Sequence, residues 1–529
     1  MSEEREVAKS TALISGLTMI SRVLGMVRDM VIARIYSAGA IADCFFVAFS
    51  LPATMARLLG DGGFTISFVP VFTEELEKKG RQEAMKLAYT TFWIALVFIL
   101  VITVLGIIFA PWLVRIIAPG FGLESGKMEI ATRLTRQIFP YTILVCIVAL
   151  AMGILNSFKH FAMPALSPVL LNLSMIASVL IVNERYDFFS KGMSLVIGVL
   201  AGGIFQVLVQ VPTLWRYGFR FRAYFDLAHP GLRKMGQMMG VSVFGVMVYQ
   251  LNVFINTFFV SEFSGGRSYI YYADRLVELP LAIFGIALGT AILPSFSRYS
   301  AHQDLKGLAK TLNFGLNFVL FMIVPAIIGL IFFRLPIISV IYQGVNFTMN
   351  DSLKTANALL FYSLGVWASA GLRVIVPSYY SLKDARTPVM ASATAMLVNL
   401  VGCWLFTKEI SWTREHLGFA GVCLATMIAS IINFFIHILL LRRKLPGFID
   451  GSIFTNLAKS LLACLPMILF SFWIADKELW LEPGRIWEKI GWLGLSILFS
   501  GFFYFALAWL LGMPELKWLK EFIQNRSKR

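Results

Sequence analysis

The chain has 529 residues, of which 58% are hydrophobic and only 14% are charged. Soluble globular proteins are about 45–50% apolar and about 25% charged, so this composition excludes an ordinary soluble protein. A formal net charge of +16 would suggest a nucleic-acid partner in a soluble chain. In a membrane protein Lys and Arg collect in cytoplasmic loops by the positive-inside rule, so we expect no nucleic-acid partner.

Apolar segments of about 20 residues, the length that crosses a bilayer as a helix, recur from one end of the chain to the other. They predict an all-α polytopic membrane protein. About 14 transmembrane helices are expected, near residues 11–36, 40–68, 89–117, 134–156, 163–183, 193–215, 238–262, 270–297, 310–333, 355–379, 387–406, 417–441, 456–475 and 488–511.

The first two predicted spans carry an unusual number of charges, among them Arg22, Arg28, Asp29, Asp43, Arg57 and Asp61. A charge at the bilayer centre costs about 2.5–3.5 kcal/mol on insertion scales, so such residues usually face a water-filled cavity and serve function. Arg22 and Asp29 are seven residues apart, and Arg57 and Asp61 are four apart, so each pair shares one helix face.

A second charged motif, YYADRLVELP, begins the eighth predicted span. Its carboxylates Asp274 and Glu278 are four residues apart and share a helix face, and Arg275 lies about 100° around the helix. Pro280, with Gly285 and Gly289 beyond it, predicts a bend in this span, which makes it a candidate moving part.

The loop charges predict the orientation. Lys and Arg are concentrated in loops that follow even-numbered spans, for example Lys78, Lys79, Arg81, Arg220, Arg222, Arg298, Arg442 and Arg443, and in the C-terminal tail. The loops at 118–129, 184–192 and 263–269 hold fewer, so the positive-inside rule places both termini in the cytoplasm. The basic and aromatic segment 217–236 either lies along the inner leaflet or is a plain linker; the two interpretations are compatible.

A weak internal repeat divides the chain. Asn156-Ser157 and the following Phe158-Lys159 match Tyr380-Ser381 and Leu382-Lys383 at an offset of 224 residues. The repeat predicts two parallel six-helix lobes with the substrate site between them. The predicted parts are an N-lobe at 1–216, a cytoplasmic amphipathic linker at 217–237, a C-lobe at 238–445, and two extra C-terminal helices with a basic tail at 446–529.

Both predicted lobes contribute arginine: Arg22, Arg28 and Arg57 come from the first and Arg275 from the second. The planar guanidinium fork suits bidentate binding of phosphate, so several arginines beside a wet cleft predict a site for a pyrophosphate. The alternative is that the charges are internal ion pairs that fix helix packing. If the arginines do form such an anion site, the carboxylates position the arginines, pair with them when the site is empty, or bind a cation.

The motifs SRVLGMVRD, ADCFFVAF and GFTISFVPVF, together with YYADRLVELP and ALGTAILPSFS, resemble those of the MurJ (MviN) family of lipid II flippases. This family belongs to the multidrug/oligosaccharidyl-lipid/polysaccharide exporter superfamily, and the resemblance covers essentially the whole chain. It implies a multi-pass protein of the bacterial inner membrane that serves peptidoglycan biosynthesis and cell shape. Its substrate would be lipid II, an undecaprenyl-pyrophosphate-linked disaccharide-peptide carried from the cytoplasmic to the periplasmic leaflet by alternating access.

The resemblance also implies roles for individual residues. The family's cavity arginines fall on Arg22, Arg28, Arg57 and Arg275, and its cavity or gating acids on Asp29, Asp43, Asp274 and Glu278. Asp61 stands where relatives often have Glu. Ala56 stands where many relatives have the first Arg of a pair. A groove formed with spans thirteen and fourteen would guide the polyprenyl tail.

No HExxH, GxSxG or Walker A pattern occurs, and the five cysteines form no CxxC motif, so we expect a transporter with no catalytic residue, metal site or cofactor. Energy would come from the membrane potential, the lipid gradient or an ion gradient. Sodium is the candidate ion, with Asn252, Asn256 and Asn399 as polar groups, although helix–helix hydrogen bonding is the favoured explanation for these residues. Membrane lipids and the cell-wall synthesis machinery are candidate partners. The alternative functions are a flippase for another polyprenyl-linked saccharide and a drug or cation antiporter.

Overall fold

The computed structural model describes residues 2–59, 67–182, 192–475 and 478–516, without the side chains of 2–12, 241, 242, 244, 245 and 411. Every regular element in these ranges is helical. The α-helices are α1 (Ser2–Tyr36), α2 (Ala40–Ala56), α3 (Val69–Lys79), α4 (Arg81–Ile108), α5 (Ala110–Ile117), α6 (Lys127–Ile138), α7 (Tyr141–Ser157), α8 (Ala162–Val182), α9 (Met193–Arg216), α10 (Pro230–Val260), α11 (Gly266–Pro280), α12 (Ala287–Ala301), α13 (Leu305–Phe332), α14 (Arg334–Ile341), α15 (Met349–Ser381), α16 (Arg386–Trp404), α17 (Ser411–Leu417), α18 (Ala420–Lys444), α19 (Gly451–Ala463), α20 (Leu465–Ala475) and α21 (Ile486–Leu510).

Within the described ranges, 12 helices or helix pairs are long and apolar enough to cross a membrane, which confirms the all-α polytopic class. Several are composite, such as α6 with α7 and α19 with α20. Two predicted spans are not among them. α1 carries four charges between Arg22 and Arg34, and the apolar part of α10 is only Val246–Val260. The count of 14 is therefore not confirmed, and it stays a prediction.

Large apolar side chains cover the outside of several helices. Phe98 of α4 is 60% exposed, and Leu498, Phe502 and Trp509 of α21 are 69–75% exposed. A water-soluble surface does not tolerate contiguous apolar area of this kind, whereas acyl chains require it. The exposed faces therefore fit a protein that is surrounded by lipid.

The chain forms two compact units, Met1–Ser268 (unit 1) and Tyr269–Arg529 (unit 2). The main core of unit 1 lies among α3, α4 and α7 around Phe68, Phe72 and Ile154. A core of unit 2 surrounds Trp480 and Tyr504, whose hydroxyl donates to the Phe321 carbonyl at 2.6 Å. α10 contacts α3, α4 and α5 and belongs to unit 1. Contacts do not report repeat symmetry, so the four predicted domain ranges stay a prediction.

The segment between α9 and α10 is irregular from Phe219 to Asp226 and packs on α4. Trp93 Nε1 donates to the Arg222 carbonyl at 2.8 Å, and Phe219 is buried against Tyr89. Charged residues fix the start of α10, because Lys234 and Lys78 both pair with Glu74 of α3 and hold the pKa of its carboxyl at about 2.

The eighth predicted span contains a change of helical type. α11 ends at Pro280, a π-helical segment follows at Leu281–Ile286, and α12 begins at Ala287. Proline cannot donate a backbone hydrogen bond, and π segments are one recognised cause of helix distortion. The irregularity lies where the sequence places the bend.

Gly120 allows a close backbone approach within unit 1. It lies in a 3₁₀ turn at Pro119–Leu123, and its amide donates to Ser261 Oγ at 3.0 Å. A Cβ at this position would lie 2.4 Å from the Glu262 amide nitrogen, whereas one at Gly122 would meet nothing closer than Met128 Cε at 3.9 Å. Backbone cannot move aside as a side chain can, so residue 120 must be glycine.

We expect Gly120→Ala to lower the free energy of unfolding by about 1–3 kcal/mol, the usual range for overpacking, and Gly122→Ala to change it little. Thermal unfolding of the two variants in detergent micelles measures the difference. Equal unfolding temperatures would contradict the close approach.

Candidate functional site

Arg28 and Asp29 form a buried ion pair within α1. Arg28 Nη2 and Nε donate to Asp29 Oδ1 at 2.7 and 3.0 Å, and the two residues are 9% and 1% exposed. Arg28 Nη1 also donates to Asn172 Oδ1 at 3.1 Å, and Asn172 Nδ2 donates to the Ser21 carbonyl. Asn172, a residue of α8 that the sequence interpretation missed, therefore locks this pair to its neighbour helix.

Arg22 lies six residues before Arg28, about 9 Å along the same helix. Its side chain is exposed, and no residue in the described ranges forms an ion pair or hydrogen bond with its guanidinium. Two arginines of α1 thus differ: Arg28 is neutralised by Asp29, and Arg22 is available to a ligand.

Arg57 follows α2 in a short π turn at 57–59 and is half-buried. Its guanidinium lies 5.8 Å from the centroid of the Tyr249 ring of α10, a cation–π contact. One turn earlier, Thr54 and Gln250 form a weak contact at 3.4 Å that joins the same two helices. No carboxylate in the described part of the chain pairs with Arg57, and the predicted partner Asp61 lies outside the described residues.

Asp43 is fully buried and accepts four hydrogen bonds, so it lines no open surface. Its Oδ1 accepts from the Ser268 amide at 2.8 Å and the Ser268 hydroxyl at 2.6 Å. Its Oδ2 accepts from the Gly265 amide and from Lys127 Nζ, both at 3.0 Å. A carboxylate at a helix N-terminus satisfies free backbone amides and complements the helix dipole. Asp43 therefore fixes the first turn of α11, the helix that carries the second charged motif.

Lys127 is the cation that balances this buried carboxylate. It is 1% exposed at the start of α6, it also pairs with Glu124 at 3.0 Å, and its ammonium lies 4.6 Å from the Phe121 ring centroid. The sequence interpretation counted Lys127 only among the few charges of a loop. A lone lysine at the first residue of an apolar span was the available signal.

The second motif forms a more open pair in unit 2. Arg275 Nη1 pairs with Glu278 Oε2 at 2.7 Å, and the two side chains are 33% and 40% exposed. The Arg275 guanidinium also lies 4.8 Å from the Tyr271 ring centroid and donates to the Tyr271 hydroxyl at 3.1 Å. Asp274 is exposed on the same helix. Solvent reaches this pair, so an incoming anion can replace Glu278 as the partner of Arg275.

The predicted arginines therefore fall into two classes. Arg28 and Arg275 have carboxylate partners, while Arg22 and Arg57 have none in the described chain. Guanidinium groups in or beside apolar spans bind phosphate strongly because water and counter-ions compete weakly there. Taken unit by unit, these residues suit an anionic group that enters and leaves: Arg22 and Arg57 of unit 1 are uncompensated in the described chain, and the carboxylate partner of Arg275 in unit 2 is exchangeable.

Polar residues proposed for sodium form contacts between helices. Thr426 Oγ1 of α18 donates to Asn399 Oδ1 at 3.2 Å, and Asn399 also contacts the Cys403 thiol. No group of three or more His, Cys, Asp or Glu residues that could hold a metal ion occurs among the described residues. A surface cavity of about 540 Å³ lies between α5 and α6 beside Arg133 and Arg136 and includes none of the predicted site residues.

Removing the charge of Asp43 tests the buried junction. We expect Asp43→Asn to lower the free energy of unfolding by about 3–5 kcal/mol, because Lys127 then stays buried beside a neutral amide. Glu124→Gln removes the exposed partner of the same lysine and serves as the matched control. Thermal unfolding in detergent gives both values, and equal losses for the two variants would contradict the central position of Asp43.

Comparisons with known proteins identify the family. A family model described as "Lipid II flippase MurJ" matches residues 32–482. The chain is 34% identical over 439 residues to the "Probable lipid II flippase MurJ" of Vibrio cholerae serotype O1, covering 81% of this chain and 82% of that relative. It is 31% identical over 525 residues to the protein of the same description from Buchnera aphidicola subsp. Schizaphis graminum, covering 98% and 100%.

Solved structures agree with the sequence relatives. "Lipid II flippase MurJ, inward closed conformation" matches with a TM-score of 0.77 and 25% identity, covering 94% of this chain and 98% of that one. An inward-facing MATE family multidrug transporter matches with a TM-score of 0.64 and 13% identity, covering 83% and 98%, which shows a shared fold. The chain belongs to the MurJ family of lipid II flippases and is a transporter rather than an enzyme.

Proposed function

We propose that this protein carries lipid II from the cytoplasmic to the periplasmic leaflet of the bacterial inner membrane. Family membership supports the substrate: an undecaprenyl chain, a pyrophosphate and a disaccharide-peptide. The observation that carries the mechanism is the presence of arginines in and beside apolar helices, two of which lack a carboxylate partner in the described chain. In this proposal the arginines Arg22, Arg28, Arg57 and Arg275 bind the pyrophosphate.

The open and buried pairs have different roles in this proposal. Glu278 neutralises Arg275 when the site is empty and yields to the pyrophosphate when lipid II enters, since both groups are partly exposed. The Arg28–Asp29 pair is buried, so Asp29 holds the Arg28 fork in one orientation in this proposal. Asp61 and Asp274 complete the cavity acids, and the buried Asp43 is assigned to gating. Asp43 supports a gating role through its four hydrogen bonds at the start of α11.

Transport follows alternating access, with both termini in the cytoplasm as the loop charges indicate. No nucleotide motor motif occurs in the sequence. The membrane potential, worth about 2.3 kcal/mol per charge at 100 mV, or an ion gradient such as sodium supplies the energy. The cell-wall synthesis machinery is the proposed protein partner, and surrounding lipids complete the environment.

We expect Arg28→Ala, Arg57→Ala and Arg275→Ala each to abolish transport at normal expression, because each removes a phosphate-binding fork. The experiment depletes the native protein in its own host and measures which leaflet holds lipid II, using an enzyme that cleaves lipid II but cannot cross the membrane. Arg443→Ala, an exposed arginine at the end of α18, is the control and keeps wild-type transport.

Arg28→Ala also leaves Asp29 buried without its arginine, so loss of folding must be separated from loss of binding. Arg28→Ala with Asp29→Asn removes both charges and should restore membrane protein levels without restoring transport. Normal growth of cells that depend on all three single variants would contradict the proposal. Normal lipid II export after depletion of the protein itself would contradict the substrate.

Arg275→Lys keeps the charge and loses the planar fork. We expect transport to fall at least tenfold in this variant, because lysine cannot bind phosphate bidentately. The same leaflet assay at matched protein level measures it. Full transport by Arg275→Lys would show that Arg275 acts only as a point charge.

A further inference from the structure

α15 carries an arginine that the sequence interpretation passed over. Arg373 is the only charged residue between Thr355 and Ser381. This stretch belongs to the membrane-spanning helix Met349–Ser381, and Arg373 lies eight residues, about 12 Å, before its C-terminal end. The side chain is exposed, and within the described ranges no ion pair or hydrogen bond engages its guanidinium. An arginine so deep in an apolar span requires a ligand or water.

The backbone at Arg373 is held by a neighbouring helix. Pro377 has no amide hydrogen, so the Arg373 carbonyl loses the donor it would have in a regular helix. Gly289 covers that carbonyl: a Cβ on Gly289 would lie 2.3 Å from the Arg373 oxygen. A Cβ on Gly285 would lie 3.5 Å from Arg373 Cγ. Gly285 and Gly289 form a Gly-x-x-x-Gly pattern, which allows their helical segment to pack closely on α15. The backbone of Arg373 and the start of its side chain are therefore held in place, while the side chain as a whole is exposed.

The side chain of an arginine near a helix end can extend to the membrane surface, but this does not explain the position of Arg373. In an α-helix the Cα–Cβ bond leans toward the N-terminus, and here that direction leads away from the nearer, C-terminal end of α15. Arginines that reach the interface usually lie close to a helix end. The start of the Arg373 side chain therefore leans toward the middle of the span.

Arg373 and Arg275 lie at different depths of unit 2. Arg373 contacts Gly285 and Gly289, which follow Arg275 by 10 and 14 residues along α11, the π segment and α12. At 1.5 Å per residue, the two glycines that Arg373 contacts lie about 15 and 21 Å beyond Arg275, toward the C-terminal end of α12. α12 and α15 both end at the side that the loop charges assign to the cytoplasm.

We propose that Arg373 is a second phosphate-binding residue of unit 2, which holds the pyrophosphate of the lipid-linked substrate near the cytoplasmic side before Arg275 binds it. The inference rests on the proposed function and adds a residue and an order of binding to it. A bilayer phospholipid offers the same phosphate chemistry, and the test separates the two sources.

The experiment uses the full-length protein in nanodiscs and measures binding of lipid II and, separately, of phosphatidylglycerol by native mass spectrometry. We expect Arg373→Ala and Arg373→Gln to weaken lipid II binding at least tenfold and to leave phosphatidylglycerol binding unchanged. Arg298→Ala, which removes an exposed arginine at the end of α12, should bind lipid II like the wild type. Unfolding temperatures near wild type show that the variants are folded.

A second variant tests the position rather than the charge. Gly289→Ala keeps the Arg373 side chain but displaces the Arg373 carbonyl. We expect this variant, like Arg373→Ala, to bind lipid II more weakly than the wild type. Unchanged lipid II binding by both Arg373→Ala and Arg373→Gln overturns the inference alone, as does a loss confined to phosphatidylglycerol. Wild-type protein that binds no lipid II overturns the proposed function and this inference together.

Discussion

A charge inside an apolar helix must be paired, hydrated or bound by a ligand, and this constraint explains most of the features described above. Asp43 and Lys127 meet it by complete burial, because the carboxylate accepts four hydrogen bonds and the ammonium contacts two carboxylates and an aromatic ring. Arg28 satisfies the constraint because it forms an ion pair with Asp29 and a hydrogen bond with Asn172. The charges of Asp43 and Lys127 are compensated within the fold, and Asp29 and Asn172 hold the Arg28 guanidinium in one orientation.

Arg22, Arg57 and Arg373 meet the same constraint differently, since no carboxylate in the described chain neutralises them. Their charge is available to an anion. Arg275 lies between the two classes, with a carboxylate partner that solvent can reach. A transporter must release its substrate, so a mixture of uncompensated and exchangeable arginines is more useful than a permanently saturated site.

The sequence allowed the membrane class, the charged segments and the family resemblance to be predicted, because apolar length and intramembrane charge are local signals. It did not allow the partners of those charges to be predicted. Asp43 was expected among cavity acids, but its ligands Lys127, Gly265 and Ser268 come from distant positions that only the tertiary structure brings together. Asn172 was missed for the same reason. Arg373 was missed because a lone charge in a span forms no motif, and its meaning depends on Gly289 and Pro377. The predicted number of 14 transmembrane helices was not confirmed because of α1 and α10. α1 carries several charges and the apolar part of α10 is short, so neither has the hydropathy of a clear membrane span.

The most direct test of the central claim is an electron cryomicroscopy structure of the full-length protein in a lipid nanodisc with lipid II bound. The account predicts that the pyrophosphate lies within hydrogen-bonding distance of at least one of Arg22, Arg28, Arg57 and Arg373, or of Arg275 with Glu278 displaced. A well-resolved lipid II whose phosphates contact none of these guanidinium groups, with the Arg275–Glu278 pair intact, would contradict it.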